Sequence, residues 1–144
     1  MGLLRIAQIP PPTVEPHVSV MHAVDIMARD RVGAVVVVEN GALVGIFTER
    51  DLMLRVVRPH RDISTTLVRE VMTGDVMTVT EASTPEEASK VMLIEHLRHL
   101  PVLGNDGTVL GLLSIRALLE ERLEDLSREV SSLEQYMAND GPGG

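Results

Sequence analysis

The second half of the chain repeats the first, and this internal repeat restricts the possible folds more than any other feature. At an offset of 66 positions, residues 31–52 lie over residues 97–118 without a gap. The match keeps the turn glycines Gly41 and Gly107 in register. Two copies of this length predict two equivalent structural units that pack together.

Upstream of residue 31 the offset changes to 65, and Thr13-Val14 lies over Thr78-Val79. The change of offset predicts one inserted residue in the second copy, near the end of its first helix. A repeat this long with a single insertion indicates that both copies have the same order of secondary-structure elements.

Each copy has the residue pattern of a β-α-β-β-α unit. A short extended Thr-Val piece precedes a segment whose apolar residues recur every three or four positions, which is typical of a helix with one buried face. Next come an apolar strand, an Asn-Gly or Asp-Gly turn and a return strand, the pattern of a β-hairpin. A second helix begins at Glu49 in the first copy and at Ile115 in the second.

These elements predict a mixed α/β (α+β) fold of two tandem β-α-β-β-α repeats in pseudo-twofold symmetry, plus a long C-terminal helix. One copy is too short to bury a good core alone, so we expect the two copies to pack sheet to sheet. The predicted parts are residues 1–58 for repeat 1 with an N-terminal segment, 59–66 for a polar linker, 67–120 for repeat 2, and 121–144 for a heptad helix and a disordered tail.

The C-terminal helix carries a regular apolar seam. Its six members are 4, 3, 4, 3 and 4 positions apart: Leu119, Leu123, Leu126, Val130, Leu133 and Met137. This heptad spacing predicts a helix from about Ile115 to Met137 and a coiled coil. Pairing between two subunits is the favoured interpretation, and folding of the helix back onto its own module is the alternative.

The composition excludes several classes of function. The formal net charge is −8, whereas a protein that binds the phosphate backbone of nucleic acid needs a basic surface. The chain has no cysteine, which excludes disulfides, thiol catalysis and cysteine-based zinc sites. No apolar run reaches the roughly 18–20 residues of a membrane span, so we expect a cytoplasmic protein without nucleic-acid or membrane partners.

The sequence has no recognisable catalytic pattern. It shows no nucleophile–base pair, no metal-ligand spacing and no phosphate-binding P-loop, so we expect neither enzymatic activity nor a catalytic cofactor. His96 and His99 lack a supporting cluster of carboxylates or cysteines, so they do not indicate a metal site.

Four segments carry a pattern found in a known family. They are VGAVVVVENGALVGIFTERDL, VMTGDVMTV at residues 71–79, RHLPVL at residues 98–103, and VLGLLSIRAL. Together they resemble a cystathionine-β-synthase (CBS) domain pair, or Bateman module, over about residues 6–120. The resemblance implies a regulatory module, usually a homodimer, that performs no chemistry. It also implies an adenosine-containing ligand such as AMP, ADP, ATP or S-adenosylmethionine.

Thr48 and Asp51 are the first candidate ligand-binding residues. Asp51 falls in the first turn of a helix, whose positive end stabilises a carboxylate. An acceptor-only side chain suits the two hydroxyls of a ribose, and Thr48 with the nearby free N–H groups suits a phosphate. The resemblance implies these same roles. The alternative is that Thr48 and Asp51 simply cap the helix, and capping and binding can coexist.

The resemblance implies that the second repeat completes this site. Arg98 or His99 would face the phosphate, and the Thr78-Val79 backbone with apolar neighbours would hold adenine. Arginine suits phosphate because it is always charged and forked. A partly charged histidine would make the affinity rise as the pH falls. The alternative is that Arg98 and His99 are solvated residues at the exit of a helix.

A second, weaker site would use Ser114 and Arg116. There Ala117 stands in the position of Asp51, and Val32-Gly33 stand in the position of the basic pair. A ribose would lose its acceptor, and losing a charge-assisted hydrogen bond costs about 1.5–3 kcal/mol. We therefore expect one competent site, although Arg116 could still attract an anion.

Two functions remain from different classes. The favoured one is a dimeric sensor of an adenosine-containing nucleotide that acts on an unidentified regulated protein. The alternative is a ligand-free structural dimerisation protein whose site is vestigial. The joint presence of Thr48, Asp51, Arg98 and His99 favours the sensor.

Overall fold

Two three-stranded sheets form the frame of residues 2–139, the part of the chain that the computed structural model describes. The strands are β1 (Thr13–Val14), β2 (Ala34–Glu39), β3 (Ala42–Thr48), β4 (Val79–Thr80), β5 (His99–Leu103) and β6 (Val109–Ser114). The helices are α1 (Val20–Asp30), α2 (Glu49–Asp51), α3 (Val68–Val71), α4 (Pro85–Glu95) and α5 (Ile115–Asn139). A 3₁₀ turn spans Leu3–Arg5, and a π-helical stretch, Leu52–Val57, continues α2.

The two sheets have the same topology. The strand orders are β1-β2-β3 and β4-β5-β6, with the first pair of each sheet parallel and the second pair antiparallel. Asn40 and Gly41 have positive φ angles of 51° and 79°, as a tight two-residue hairpin turn requires. This architecture confirms the predicted mixed fold of two repeats with a long C-terminal helix. Residues 140–144, predicted as a disordered tail, lie outside the described part.

The inserted residue of the second copy lies in its hairpin turn, so its predicted position near the end of a helix is wrong. Val37 pairs with Gly45 in the first sheet, and Val102 pairs with Gly111 in the second. The strands β2 and β5 therefore still match at an offset of 65, and only β3 and β6 match at 66. An exposed hairpin turn can accept one extra residue, whereas an extra residue at a packed helix end would displace buried side chains.

The corrected register changes which residues are equivalent. Arg98 corresponds to Gly33 and His99 to Ala34, instead of to Val32 and Gly33 as the ungapped match predicted. The backbone agrees, because the carbonyls of Gly33 and Arg98 each accept a hydrogen bond from the first N–H of the helix that follows, at 3.0 and 2.8 Å.

Apolar packing holds the described part of the chain together in three clusters. One lies under each sheet: the first is built from buried valine, alanine and methionine with Phe47, and the second from leucine, valine, alanine and methionine. The third joins the two sheets and contains Ala34, Val36 and Ile46 of one repeat with Leu112 of the other. The sheets thus pack against each other, as the shortness of a single repeat predicts.

An N-terminal crossing segment, residues 3–9, packs on the second repeat. Leu3 is fully buried in the second core, and Gln8 pairs with Leu112 of β6. Gly111 makes this pairing possible, because a Cβ there would lie 3.1 Å from both the Ala7 Cβ and the Gln8 carbonyl oxygen.

A linker crossing segment, residues 67–73, packs in the opposite direction on the first repeat. Val68 and Val71 of α3 are buried in the first core, and Thr73 pairs with Ile46 of β3. A Cβ on Gly45 would lie 3.0 Å from the Thr73 carbonyl oxygen, so the close approach of this segment requires glycine there, as it does at the equivalent Gly111. Each repeat therefore completes the other's core.

Helix α5 leaves the body of the module after its second turn. Leu118 and Glu121 are buried, whereas the seam residues beyond them are exposed. The Arg5 guanidinium donates two hydrogen bonds to the Glu121 carboxylate, one of 3.1 Å, and the bond from Arg5 lowers the pKa of Glu121. The 25 residues of α5 span about 37 Å, which agrees with the predicted helix.

Candidate functional site

A cleft of about 1340 Å³ lies between the two repeats. One wall consists of α2 with its π-helical continuation, and the other contains the end of α4 and the start of β5. Thr48, Asp51, Arg98 and His99 all line this cleft. The structure therefore brings the acidic pair of the first repeat and the basic pair of the second into one hollow.

Thr48 and Asp51 form a reciprocal capping box at the start of α2. The Thr48 hydroxyl accepts a hydrogen bond of 3.2 Å from the Asp51 N–H, and Asp51 Oδ2 accepts one of 3.0 Å from the Thr48 N–H. This arrangement satisfies helix N–H groups that have no partner within the helix. The capping role considered from the sequence is thus present, and it fixes the orientation of the carboxylate.

Thr73 is a site residue that the sequence reasoning missed. Its hydroxyl lies 3.1 Å from Asp51 Oδ1, to which it can donate. Arg55 is a second one: its guanidinium donates to the Met72 carbonyl at 2.8 Å, and its Nε lies 3.7 Å from Asp51 Oδ1. No local pattern marks Thr73, because only the linker crossing segment brings it to β3.

The Asp51 carboxylate is nearly enclosed, with 7% of the residue exposed. A carboxylate has about four acceptor positions, and Thr48 and Thr73 together occupy three of them. One position, on Oδ1, remains for a hydrogen bond from the cleft. A ribose with two hydroxyls would bond both only if the Thr73 hydroxyl turned away.

His99 lies half-buried at the opposite wall, beside Glu49. Burial lowers the pKa of His99, Glu49 partly offsets this effect, and Arg98 adds to it. Its ring fits because residue 33 is glycine: a Cβ there would collide with the Glu49 carboxylate and lie 2.9 Å from His99 Cε1. His99 is thus held as a mostly neutral side chain at pH 7, and the exposed guanidinium of Arg98 supplies the charge.

Charges of both signs line the cleft. Among the described residues, the lining includes four carboxylates and three arginines: Glu49, Asp51, Asp75, Glu95, Arg50, Arg55 and Arg98. The apolar part includes methionine and leucine side chains from both repeats. Such a lining can hold an uncharged ring system and a polar group at one end.

The predicted Thr78-Val79 contact is not part of this lining. Met77, one residue earlier, lines the cleft instead. Val79 pairs with Val102 and is buried in the second core, and Thr78 is half-buried.

The residues predicted for the second, weaker site are engaged elsewhere. Ser114 caps α5, because its hydroxyl accepts a hydrogen bond of 3.1 Å from the Ala117 N–H. Arg116 is exposed over 87% of its side chain and donates at 3.1 Å to Glu120 on the same helix. Neither Ser114 nor Arg116 lines the cleft described above.

Two negative findings concern residues 2–139. They contain no group of three or more histidine or acidic side chains placed to hold a metal ion. None of their helices combines the length and the apolar character that crossing a membrane needs.

Comparison with known proteins identifies both repeats. The family model described as CBS domain matches residues 5–58 and 68–124. The chain is 34% identical over 117 residues to the CBS domain-containing protein YhcV of Bacillus subtilis, covering 81% of this chain and 80% of that protein. It is 36% identical over 119 residues to the mitochondrial CBS domain-containing protein CBSX3 of Arabidopsis thaliana, covering 76% of this chain and 57% of that protein.

The chain spans 66% of an uncharacterised 17.7 kDa protein of Acidianus ambivalens, to which it is 36% identical over 77% of its own length. It spans between 18% and 48% of five further relatives.

Solved structures share the fold. A CBS-domain-containing protein from Agrobacterium tumefaciens is 30% identical with a TM-score of 0.76, over 85% of this chain and 99% of that one. A CBS domain protein from Pyrobaculum aerophilum, solved in complex with AMP, has a TM-score of 0.74 and 23% identity, over 81% of this chain and 89% of that one. At that identity the likeness concerns the fold alone.

Proposed function

This chain belongs to the CBS domain family, and we propose that it is a regulatory module that binds an adenosine-containing nucleotide in the cleft between its two repeats. The proposed ligand is AMP, ADP, ATP or S-adenosylmethionine, and the proposed acting form is a cytoplasmic homodimer. Binding would change the relative stability of two arrangements of the repeats and so signal to a regulated protein. The module itself would perform no chemistry.

The observation that carries this proposal is the meeting of Thr48 and Asp51 with Arg98 and His99 in one cleft. The buried acceptor proposed for ribose, Asp51, belongs to the first repeat, whereas Arg98 and His99 belong to the second. A ligand that contacts both groups would therefore bridge the repeats. Such bridging is what allows ligand binding to change the arrangement of the two repeats. The AMP complex of the Pyrobaculum aerophilum protein supports the choice of an adenosine ligand.

The roles of the individual residues follow from their chemistry. Oδ1 of Asp51 would accept a hydrogen bond from a ribose hydroxyl, since one acceptor position is open there. Arg98, exposed at the cleft wall, would bind a phosphate oxygen with its charged fork. The adenine would lie against the apolar lining near Met77, with Thr78-Val79 supporting that segment from the second sheet.

The proposal includes a single competent site. Ala117 offers no acceptor where Asp51 stands in the first repeat, and Ser114 and Arg116 are tied to α5. The corrected register also replaces the basic pair by Gly33 and Ala34. We therefore expect one nucleotide for each chain, with at most weak anion binding at Arg116.

Isothermal titration calorimetry with AMP, ATP and S-adenosylmethionine tests the proposal. We expect saturable binding of at least one of them at one site per chain, and no comparable binding of GMP. The Asp51→Ala substitution should weaken this binding about tenfold to a hundredfold, the worth of a charge-assisted hydrogen bond. Failure of all three ligands to bind at millimolar concentration would show that the proposed function is wrong.

Two further variants separate loss of the site from loss of the fold. Arg98→Ala changes an exposed side chain, so it should leave the unliganded melting temperature unchanged and weaken the binding of AMP about tenfold. Arg116→Ala removes an arginine that does not line the cleft, so it should leave both quantities unchanged. Equal loss of affinity in these two variants would contradict the assignment of the site.

One observation favours the alternative, a ligand-free dimerisation protein. Asp51 already has partners within the chain, so that capping of α2 and attachment of the linker crossing segment can account for it without a ligand. The calorimetry distinguishes the two functions, because the alternative predicts a dimer that binds none of the nucleotides.

A further inference from the structure

The seam of α5 has no partner within the described part of the chain. Its six side chains, from Leu119 to Met137, are between 42% and 71% exposed. Folding of α5 back onto its own module, the alternative considered from the sequence, would have buried them. A stripe of six apolar side chains on one face of a projecting helix favours association with another apolar surface.

We infer that α5 pairs with α5 of a second copy of this chain as a parallel, in-register coiled coil. This inference deepens the homodimer of the proposed function by naming its surface and its orientation. Leu119, Leu126 and Leu133 occupy the d positions of the heptads, and Val130 is the β-branched residue among the a positions. Leucine at d with β-branched residues at a favours two parallel strands, a pattern that this seam meets at its three d positions and at one of its three a positions.

The number of apolar layers decides between the registers. Parallel in-register pairing sets each seam residue against its own counterpart and forms six apolar layers. An antiparallel pair can also form six layers, with Leu119 opposite Met137. A shifted antiparallel register would place Arg122 beside Glu129 of the other helix, but it keeps only four layers and sets Arg116 against Leu133. Exposed ion pairs contribute little, so they do not compensate for lost apolar layers.

Charge then separates the two six-layer arrangements. Parallel pairing brings Glu129 near Glu134 of the other helix, twice. Antiparallel pairing brings Glu120 near Glu134 of the other helix twice and also sets Glu129 beside its own counterpart. The parallel arrangement therefore has the fewer contacts between like charges.

The apolar surface at the base of α5 also favours the parallel orientation. The seam covers just under three heptads, which is short for a self-sufficient coiled coil. Ile115 lies one turn before Leu119 on the same face of the helix, and Ile115 and the exposed Leu93 both line the cleft. Apolar surface thus continues from the seam to the module. Only a parallel pair places both modules at the same end, where these surfaces lie close to each other.

Disulfide formation tests the orientation, because the natural chain has no cysteine. The variant Met137→Cys should form a covalent dimer in most of the protein under mild oxidation, since the two thiols would face each other in one layer. In the antiparallel six-layer arrangement the two Cys side chains would be about 27 Å apart at 1.5 Å per residue. The control Ser131→Cys, on the outer face of α5, should remain uncrosslinked.

The double variant Leu119→Cys, Met137→Cys detects the antiparallel arrangement, in which residue 119 of one helix faces residue 137 of the other. If Met137→Cys stays monomeric on a denaturing gel while the double variant crosslinks through a 119–137 disulfide, the orientation is antiparallel and the inference is overturned.

Sedimentation equilibrium tests the surface and the charge pattern. Glu129→Arg should tighten the dimer about threefold to tenfold at low salt, because it turns the two Glu129–Glu134 contacts into attractive ones, whereas both antiparallel registers predict no gain. Ser131→Arg places an arginine on the outer face, a change of one charge per chain instead of two, and should have little effect. Leu126→Asp should weaken the dimer at least a hundredfold.

These measurements keep the inference apart from the proposed function. A dimer that Leu126→Asp leaves intact would use another surface, which overturns the inference and leaves the proposed homodimer standing. Nucleotide binding is measured separately by calorimetry, so a failure there leaves the pairing of α5 unaffected. All substituted seam positions are exposed, and circular dichroism checks that each variant keeps its fold.

Discussion

The two helix starts that follow β3 and β6 occupy equivalent places and differ in one functional group. At the first, Thr48 caps α2 and Asp51 returns a hydrogen bond to the Thr48 backbone. At the second, Ser114 caps α5, but Ala117 has nothing to return. The cap of the helix alone therefore needs only the hydroxyl. The carboxylate adds an acceptor at the cleft and a contact with the linker crossing segment.

Each crossing segment is held by a charged side chain of the helix beside it, and this side chain is basic in the first repeat and acidic in the second. In the first repeat, Arg55 on the helix donates to a carbonyl of the linker crossing segment. In the second, Glu121 at the equivalent position accepts from Arg5 of the N-terminal crossing segment. Both segments place apolar side chains in the core of the other repeat, so the polar contact at the edge differs while the apolar attachment is kept.

The largest effect expected from this comparison is the loss of protein stability when Asp51 is substituted. Asp51→Ala should lower the free energy of unfolding by about 2–3 kcal/mol, because it leaves the donors of Thr48 and Thr73 without their charged acceptor. The reverse substitution, Ala117→Asp, should give no gain, because Glu121 lies one turn further along where the first repeat has Arg55. Urea unfolding measures the free energy of unfolding of both variants. A more stable Ala117→Asp variant would contradict the expectation that only the first helix start benefits from a carboxylate.

A smaller effect is expected where the crossing segments meet the sheets. Gly45→Ala should destabilise the protein by about 1–2 kcal/mol, because the new Cβ meets a backbone oxygen at 3.0 Å and the Met72 side chain at 2.5 Å. Gly111→Ala meets its neighbours at 3.1 Å or more and should cost under about 1 kcal/mol. Chemical unfolding compares the two, and a larger loss at Gly111 would mean that the N-terminal segment is the more tightly packed.

The smallest effect concerns the titration of His99, which has only Ala34 as its equivalent. The pKa of His99 lies below its ordinary value near 6.5, so the unfolded chain takes up the proton first as the pH falls. Stability should therefore decrease as the pH falls from about 6.5 toward the folded-state pKa and then level off. His99→Gln should remove this part of the pH profile of urea unfolding.

Nuclear magnetic resonance titration of the His99 imidazole gives the finer measurement. Glu49→Gln should lower the pKa of His99 further, and Arg98→Ala should raise it, since these neighbours act in opposite directions. A bound phosphate near the ring should raise it as well, so that nucleotide affinity increases at lower pH. A pKa of His99 at or above 6.5 in the free protein would show that burial does not control it.

The sequence was informative where structure depends on local pattern. The hairpins, the helix starts at Glu49 and Ile115 and the seam of α5 all follow from turn residues, capping residues and apolar spacing. The positions of Arg98 and His99 in the cleft followed from the family resemblance. Thr73 and the buried Leu3 could not be predicted, because they depend on segments that pack on the other repeat. The position of the insertion was missed because an ungapped match hid a longer turn.

The exchange of crossing segments has a consequence for how this protein can be dissected. A cut within residues 59–66 would separate two fragments, each of which keeps a piece that belongs in the other: Leu3 goes with the first, and Val68 and Val71 go with the second. Neither fragment would have a closed interior by itself. We therefore expect the halves to fold only when mixed, as complementing fragments. The pair of repeats is then the smallest unit that folds on its own.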